Sequence, residues 1–236
     1  MPQPPRLSEP VVPRYGTPNS EMLQGWLGFP REQDGPFWAV NLMRYRARAQ
    51  YADGRPSTLT GRQADDAYAP LGPLAAIGAV PLFLADVVRQ PAGTPTFERV
   101  AIVRYPSRAK FFEMQLREDF RELHEHKDAG MEFTIVFSAR PPEQVDIDRR
   151  GSYLLRLLRL SPAARSGSAQ RPAIVPVARL EVEGVIVGDE RSWSEARIER
   201  VTDEGALAGL LEDADVEEQI VMLLGPPQLD ELAGAA

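Results

Sequence analysis

The chain has 236 residues, of which 43% are hydrophobic and 26% are charged, and its formal net charge is -7. This size suits one large domain or two of about 100–120 residues each. The negative balance gives no basic surface for nucleic acid and disfavours anionic membranes. The absence of cysteine excludes disulfides, thiolate metal sites and a thiol nucleophile.

The N-terminal segment is rich in proline and begins with a predicted arm. Five prolines within Met1–Arg14 predict an extended or disordered arm over residues 1–16. Thr17–Glu21 then has the features of a helix start, with a capping residue, a first-turn proline and an early acid. A short helix is expected to about Leu27. Because this segment lacks the apolar core of a signal peptide, and no run approaches the roughly 20 apolar residues of a membrane span, we expect a cytoplasmic protein.

The first half of the chain predicts the element order βαββαβ. Phe37–Tyr45 has the pattern of a strand buried on both faces. Gly61–Ala79 has helical periodicity, which Pro70 and Pro73 must kink or interrupt. The later elements are strands Pro81–Arg89 and Phe97–Tyr105, helical segments Ser107–Gln115 and Glu118–His126, and strand Glu132–Ala139. This order is that of the ferredoxin-like fold, an antiparallel sheet with both helices on one face.

The segment Phe97–Leu116 recurs 96 residues later as Trp193–Glu212, so that Ile102 falls on Ile198. The second half repeats the same element order in thinner form. Its predicted elements are strands Tyr153–Leu160, Val175–Val187 and Trp193–Val201, helix Asp203–Leu211 and strand Gln219–Leu224. The small and polar segment 161–173 replaces the first helix.

A single ferredoxin-like sheet leaves one apolar face uncovered, and two such sheets in one chain can cover each other. We therefore predict an α+β fold in which tandem ferredoxin-like repeats pack as an intramolecular dimeric α/β-barrel. The predicted units are the arm 1–16, a repeat with its lead-in helix at 17–140, a linker at 141–150, a degenerate repeat at 151–226 and a frayed or disordered tail at 227–236. The chain is expected to be a monomeric pseudo-dimer or a weak homodimer.

The first repeat resembles the family called domain of unknown function 1330. The resemblance covers about Thr17–Arg140, and its most specific residues are Asn41-Leu42 and Tyr105-Pro106-Ser107-Arg108-Ala109. It implies a ferredoxin-like protein that pairs into dimeric α/β barrels, and an activity that is not established. His126-Lys127 stands where the family usually has His-Arg, which weakens any bidentate contact with an anion.

Two histidines, His124 and His126, are candidates for acid–base chemistry. Two positions apart on a helix, they point about 200° apart and do not easily share a metal ion, so no metal site is predicted. One interpretation is a packed and an exposed histidine. The other makes His126 a general acid or base at the mouth of a cavity. Nothing in the sequence specifies haem, and no cofactor is predicted.

Polar residues in and at the ends of the first-half strands are further candidates. Alternation places Asn41 on one face of an apolar strand, where its amide either bonds to neighbouring backbone or projects into an apolar cavity. Arg44, Arg104 and Tyr105 form either a cationic cluster for a carboxylate or enolate, or ordinary solvated strand ends. Asp86 is a partner for an arginine, or a base if burial raises its pKa.

The predicted second sheet is more charged than the first. Alternation in Arg179–Glu183 and Arg197–Arg200 predicts one apolar face and one solvated face with cross-strand ion pairs. The second half is therefore expected to close the barrel, and the first half to hold any ligand.

Two functions follow from these patterns. The first is a cofactor-independent protein that binds an apolar, carbonyl-bearing metabolite between its two sheets; if it is an enzyme, fold analogy favours an isomerase, cyclase or monooxygenase. Its predicted catalytic residues are His126, Asp86 and Arg104, and its predicted substrate-binding residues are Asn41, Arg44, Tyr45, Tyr68 and Tyr105. The alternative is a non-enzymatic binding or assembly protein with a structural barrel, whose arm contacts a partner.

Overall fold

The computed structural model describes residues 12–146, 150–162 and 173–234. Within these ranges the strands are β1 (Thr17–Pro18), β2 (Phe37–Tyr45), β3 (Val80–Ala92), β4 (Arg99–Tyr105), β5 (Met131–Ala139), β6 (Ser152–Leu160), β7 (Ile174–Gly188), β8 (Glu195–Val201), β9 (Val216–Leu224) and β10 (Leu229–Asp230). The helices are α1 (Ser20–Leu27), α2 (Gly61–Tyr68), α3 (Leu71–Ala76), α4 (Arg108–Gln115), α5 (Glu118–Gly130) and α6 (Leu207–Leu211), with 3-10 turns at Glu204–Ala206 and Leu232–Gly234.

Eight of the described strands close into an antiparallel barrel. Their order is β7-β5-β2-β4-β3-β9-β6-β8, and β8 pairs back onto β7. In the middle of the first half, Val40 of β2 lies opposite Ile102 of β4 on one side and Phe137 of β5 on the other. The α+β class is confirmed at this level, as a closed antiparallel barrel with helices on its outside.

Two long strands join the halves of the barrel. β3 pairs with β4 as far as Asp86 and with β9 from Val87 onward. β7 pairs with β8 as far as Glu181 and with β5 from Val182 onward. Each long strand therefore belongs to both halves, and the sheets of the two halves face each other within one chain.

The internal repeat coincides with the element boundaries. Both ends of β4 lie 96 residues before the corresponding ends of β8. The same shift carries α4 onto residues 204–211, which form a 3-10 turn followed by α6. Phe97 and Trp193, the aromatic residues that the repeat aligns, are both buried in the inner core.

Apolar side chains fill the interior of the barrel. Trp38 and Leu42 of β2 and Leu155 of β6 belong to one buried cluster, and each is at most 1% exposed. Because side chains alternate along a strand, Asn41 points to the opposite face, toward the helices. The space between the two sheets, where the sequence leads us to expect a ligand, is thus occupied by close-packed side chains. That expectation is corrected below.

The helix starts follow the predicted capping signals. Asn19 and Ser107 each accept a hydrogen bond of 3.1 Å from the backbone N–H three residues on, at the starts of α1 and α4. The predicted helix Gly61–Ala79 divides into α2 and α3 at Pro70, which cannot donate a backbone hydrogen bond. Pro73 lies in the first turn of α3, where proline is tolerated.

No helix in the described part of the chain is long and apolar enough to cross a membrane.

The C-terminal tail packs against the barrel. β10 pairs with Phe83–Leu84 of β3, and Leu232, 1% exposed, enters the inner core. Burial of this leucine corrects the prediction of a frayed or disordered tail. The parts of the predictions that concern residues 1–11, 147–149, 163–172 and 235–236 lie outside the described residues.

Candidate functional site

A cavity of about 660 Å³ lies between the helices and the outer face of the first-half sheet. β2 and β4 form its floor, and α1 to α5 contribute to its walls. Most of the lining is apolar, including Leu74, Val103, Phe111, Phe112, Met114 and Phe120. The cavity is therefore outside the barrel, on the face opposite to the one that the sequence analysis favours.

Lys127, on α5, brings a buried amine to this cavity. The residue is 7% exposed, and its Nζ donates a hydrogen bond of 3.1 Å to Asn41 Oδ1. The rings of Tyr68 and Tyr15 lie 5.2 and 5.6 Å from the Nζ. Burial lowers the pKa of Lys127, an effect that the nearby Asp65 opposes. Among the described residues, no carboxylate forms an ion pair with this amine.

His124 and Tyr15 form a neutral pair beside Lys127. The Nε2 of His124 lies 2.9 Å from the hydroxyl of Tyr15, and both residues are buried. Burial, reinforced by the charge of Lys127, lowers the pKa of His124 to about 4. Burial likewise raises the pKa of Tyr15. Both side chains are therefore uncharged at pH 7, and they add hydrogen-bonding capacity but no charge to the cavity.

Arg99, on β4, reaches the cavity wall with its charge already paired. Its Nη1 lies 3.1 Å from Asp65 Oδ2 and 2.8 Å from Asp66 Oδ1. The hydroxyl of Tyr45 donates a hydrogen bond of 2.6 Å to the same Asp65 oxygen. The charge of Arg99 is therefore paired within this wall, whereas Lys127 does not have a carboxylate partner among the described residues.

The family-like segment Tyr105–Ala109 mainly builds the start of α4. Asp34 accepts hydrogen bonds from the backbone N–H groups of Arg108 and Ala109 at 2.9 and 3.0 Å. Although burial alone would raise it, these hydrogen bonds hold the pKa of Asp34 below its usual value. The buried guanidinium of Arg108 pairs with Glu183 at 2.6 Å. Apart from its tyrosine, which lines the cavity, this segment has a structural role.

Three of the predicted substrate-binding residues line the cavity: Asn41, Tyr68 and Tyr105. Burial raises the pKa values of both tyrosines, so their phenols keep their protons at pH 7. Tyr45 is buried behind the wall and reaches the site through its hydrogen bond to Asp65. The structure thus brings together an amide, two phenols and the buried amine.

All three predicted catalytic residues, His126, Asp86 and Arg104, lie outside the lining. The ring of His126 turns toward Tyr51, with its Nδ1 2.7 Å from the tyrosine hydroxyl. Asp86 forms an ion pair of 2.8 Å with Arg62, and its side chain is 40% exposed. The interpretation of one packed and one more exposed histidine fits this geometry, since His124 is the packed one.

The predicted cationic cluster at the strand ends is not assembled. Arg44 is near the end of β2, and Arg104 is near the end of β4, where it lies opposite Trp38 at the start of β2. Because these neighbouring strands are antiparallel, their ends lie at opposite edges of the sheet. Arg44 pairs instead with Glu132 at the surface, at 3.2 Å, and Arg104 is half-buried outside the cavity lining.

The sequence did not predict that Lys127, His124 and Tyr15 form one site. One signal was available, because Phe120, His124 and Lys127 follow the spacing i, i+4, i+7 and share a face of α5. Tyr15 comes from the arm, 109 positions before His124, and no local spacing indicates that contact.

The outer face of the second half is charged but largely buried. Arg179 Nε donates a hydrogen bond of 2.6 Å to Glu195, so cross-strand ion pairs are present as predicted. However, Arg156, Glu195 and Glu199 are only 1%, 2% and 4% exposed, so the predicted solvation of this face is wrong for them. α6 packs on the same half and removes part of its surface from water.

No family model and no curated protein matches the chain, so the resemblance to domain of unknown function 1330 has no support from a family match. Among solved structures, a protein of unknown function from Rhodopseudomonas palustris is 27% identical over 54% of this chain and 96% of its own length, with a TM-score of 0.46. A mutant chlorite dismutase from Candidatus Nitrospira defluvii is 7% identical over 86% and 98% of the two chains, with a TM-score of 0.47. A protein provisionally named a monooxygenase, from Fusobacterium nucleatum, is 8% identical over 81% and 92%, with a TM-score of 0.45. These scores are low, and the fold assignment rests on the strand pairing of this chain.

Proposed function

We propose that this chain binds a small, mainly apolar metabolite with a carbonyl-bearing polar end in the cavity between its helices and its sheet. The observation that carries the proposal is Lys127, a buried amine without a carboxylate partner among the described residues, in the lining of an apolar cavity of about 660 Å³. Small-molecule sites measure about 300–1,000 Å³ and combine apolar walls with a few polar groups that fix orientation. A ligand that pairs with the amine would offset the free energy of burying it.

In this proposal the polar end of the ligand lies beside the hydrogen-bonded pair of Lys127 and Asn41. The amine offers N–H donors, and the side-chain amide of Asn41 offers both a donor and an acceptor. The neutral pair of His124 and Tyr15 extends this polar end without adding charge. The ring of Tyr68 lies 5.2 Å from the amine and forms part of the wall beside it.

An enzymatic role is a narrower hypothesis, in which the protein isomerises, cyclises or oxygenates an activated carbon acid without a cofactor. Its support is the position of neutral His124 beside Lys127. An ammonium group stabilises a developing enolate oxygen, and a neutral imidazole accepts the proton. A non-enzymatic binding protein would use the same contacts and release the ligand unchanged. His126, Asp86 and Arg104 have no part in either version, because they lie outside the lining.

The fluorescence of anilinonaphthalene sulfonate (ANS) bound to the native protein tests the cavity. Val103→Phe adds a ring to the cavity floor, and Val88→Phe makes the same change at a position that is 61% exposed. We expect ANS to bind the wild type and Val88→Phe, and to bind Val103→Phe at least about tenfold more weakly. Equal binding by the two variants would place the site elsewhere and overturn the proposal. Mass spectrometry of the native protein then identifies a retained ligand.

We further propose that the barrel consists of two ferredoxin-like repeats and that the chain acts as a monomeric pseudo-dimer. The support is strand order: β5-β2-β4-β3 in the first half and β9-β6-β8-β7 in the second, which is fourth-first-third-second in both. Light scattering at low micromolar concentration is expected to give the mass of one chain, 26.2 kDa. A stable dimer whose first-half sheets face each other would contradict this arrangement.

A further inference from the structure

We propose that the ligand is a monocarboxylate with one unbranched apolar chain, bound with its carboxylate at Lys127 and its chain directed toward three exposed leucines at the cavity mouth. This ligand class rests on the small-molecule site proposed above. It follows from the charge at the inner end of the cavity, from the donors available there and from the character of the opposite end.

Lys127 is the one cation of the described cavity lining that has no ion pair with a carboxylate of the described residues. Arg99 is paired with Asp65 and Asp66 at 3.1 and 2.8 Å. His124 is neutral at pH 7, and Lys127 forms no ion pair with any carboxylate of the described residues. Asp65 and Asp66 together carry one negative charge more than Arg99, but neither forms an ion pair with Lys127. A monocarboxylate gives the amine a contacting partner with a single added negative charge. A phosphate monoester, with about two negative charges, would leave an excess charge buried in the site.

The donors around Lys127 match the two oxygens of a carboxylate. A lysine ammonium has three N–H donors and no acceptor. Asn41 Oδ1 accepts a hydrogen bond from one of these donors at 3.1 Å, which leaves the other two donors for a ligand among the contacts of the described residues. Charge-assisted hydrogen bonds to a carboxylate are roughly twice as strong as neutral ones. An alcohol would accept one hydrogen bond but would leave Lys127 without an ion pair.

Part of the cavity lining is apolar and open to solvent. Leu27, Leu71 and Leu116 all line the cavity, yet they are 70%, 63% and 54% exposed, whereas Lys127 is 7% exposed. They come from the end of α1, the start of α3 and the residue after α4, and together we call them the leucine mouth. Single exposed leucines are ordinary on a protein surface. Three around one cavity give an apolar entrance, which suits a chain that extends outward from a buried head group.

Isothermal titration calorimetry with decanoate and decanol, on the full chain at pH 7, tests this ligand class. The two probes share a chain length and differ in the charge of the head group. We expect the wild type to bind decanoate about 10- to 100-fold more tightly than decanol, as charged hydrogen bonds of about 1.5–3 kcal/mol require. Lys127→Met should abolish this preference. Lys110→Met, which removes an exposed lysine from α4, should keep it.

A series from octanoate to dodecanoate tests the path of the chain. Each methylene buried between Lys127 and the leucine mouth should tighten binding about fourfold, from about 0.8 kcal/mol per buried CH₂. The gain should stop once the chain extends past the leucine mouth. A flat series would show that the chain does not run along the apolar walls, and it would overturn the proposed orientation.

The outcomes separate this inference from the proposed function. Equal affinity for decanol and decanoate, or an unchanged preference in Lys127→Met, overturns the carboxylate assignment. Binding of ANS or decanol without decanoate overturns it too, while the small-molecule site stands. If none of the three binds, the proposed function itself fails. The comparison of the two probes on the wild type needs no variant, so it decides the question even where Lys127→Met does not fold.

Discussion

Gly93 occupies the point where β3 turns away from β9, and its replacement by alanine gives a quantitative test of the barrel. Its φ is +89°, a conformation that side chains of L-residues rarely adopt. A Cβ atom added there would lie 2.7 Å from the carbonyl oxygen of Gln219 and 2.8 Å from both Cα and Cγ1 of Ile220. Real Cβ atoms essentially never come closer than 3.0 Å, so Gly93→Ala must displace the backbone of β9.

Gly54 supplies the matched control. Its φ is +76°, but an added Cβ would meet nothing within 4 Å. Gly54→Ala therefore meets only the conformational penalty, about 1 kcal/mol. Gly93→Ala meets the same penalty and in addition about 1–3 kcal/mol for overpacking. We expect Gly93→Ala to lower the free energy of unfolding by about 2 kcal/mol more than Gly54→Ala does.

Urea unfolding followed by tryptophan fluorescence measures this difference. For a chain of this length it corresponds to about 4–8 °C in Tm. The difference between the wild type and Gly54→Ala measures the conformational cost of replacing a glycine at positive φ. The additional loss in Gly93→Ala then measures the cost of the close contact between the end of β3 and β9. If the two variants are destabilised equally, Gly93 does not pack closely against β9, and the closure of the barrel between β3 and β9 is wrong.

Three further predictions concern the cavity and its surroundings. Burial lowers the pKa of His124 to about 4, so between pH 6.5 and 4 the unfolded chain binds a proton at this residue that the folded chain does not bind. The free energy of unfolding should therefore fall by about 3 kcal/mol across this pH range. His124→Gln should reduce this fall, as measured by urea unfolding at pH 7 and pH 4. Arg108→Met removes a buried guanidinium that pairs with Asp34, whose side chain is 8% exposed, and with the half-buried Glu183. The change should cost about 3 kcal/mol in the same assay, whereas a loss below 1 kcal/mol would speak against these buried ion pairs. Asn41→Asp places a carboxylate beside the Nζ of Lys127 and should raise the free energy of unfolding. Because this carboxylate competes with the ligand, decanoate should bind at least about tenfold more weakly by calorimetry. Unchanged decanoate binding would contradict the proposed role of Lys127.

The strands were the most predictable part of the fold. Phe37–Tyr45 was predicted as a strand and is observed with the same bounds, because its apolar run matches a strand covered on both faces. The internal repeat located β8 through its likeness to β4. The tail was mispredicted, since the burial of Leu232 depends on β3, which lies far away in the chain.

The position of the cavity was less predictable. The alternation of side chains along β2 places Trp38 and Asn41 on opposite faces of the sheet. It does not show which face packs against the second sheet and which face lies under the helices that enclose the cavity. Lys127 looks like an ordinary solvated lysine in the sequence. Its burial results from the helix face that it shares with His124 and from the arm residue Tyr15, a contact made by tertiary structure alone.

The two outer faces of the barrel differ at one equivalent position, and this difference bears on stoichiometry. Asn41 lies opposite Ala101, and Arg156 lies opposite Arg197, the residue 96 positions after Ala101. Where the first half has an amide open to a cavity, the second half has a guanidinium that is 1% exposed. A dimer of identical subunits must accept every substitution twice, whereas joined copies can diverge. Under the proposed function we therefore expect one ligand per chain and no cooperativity between equivalent pockets.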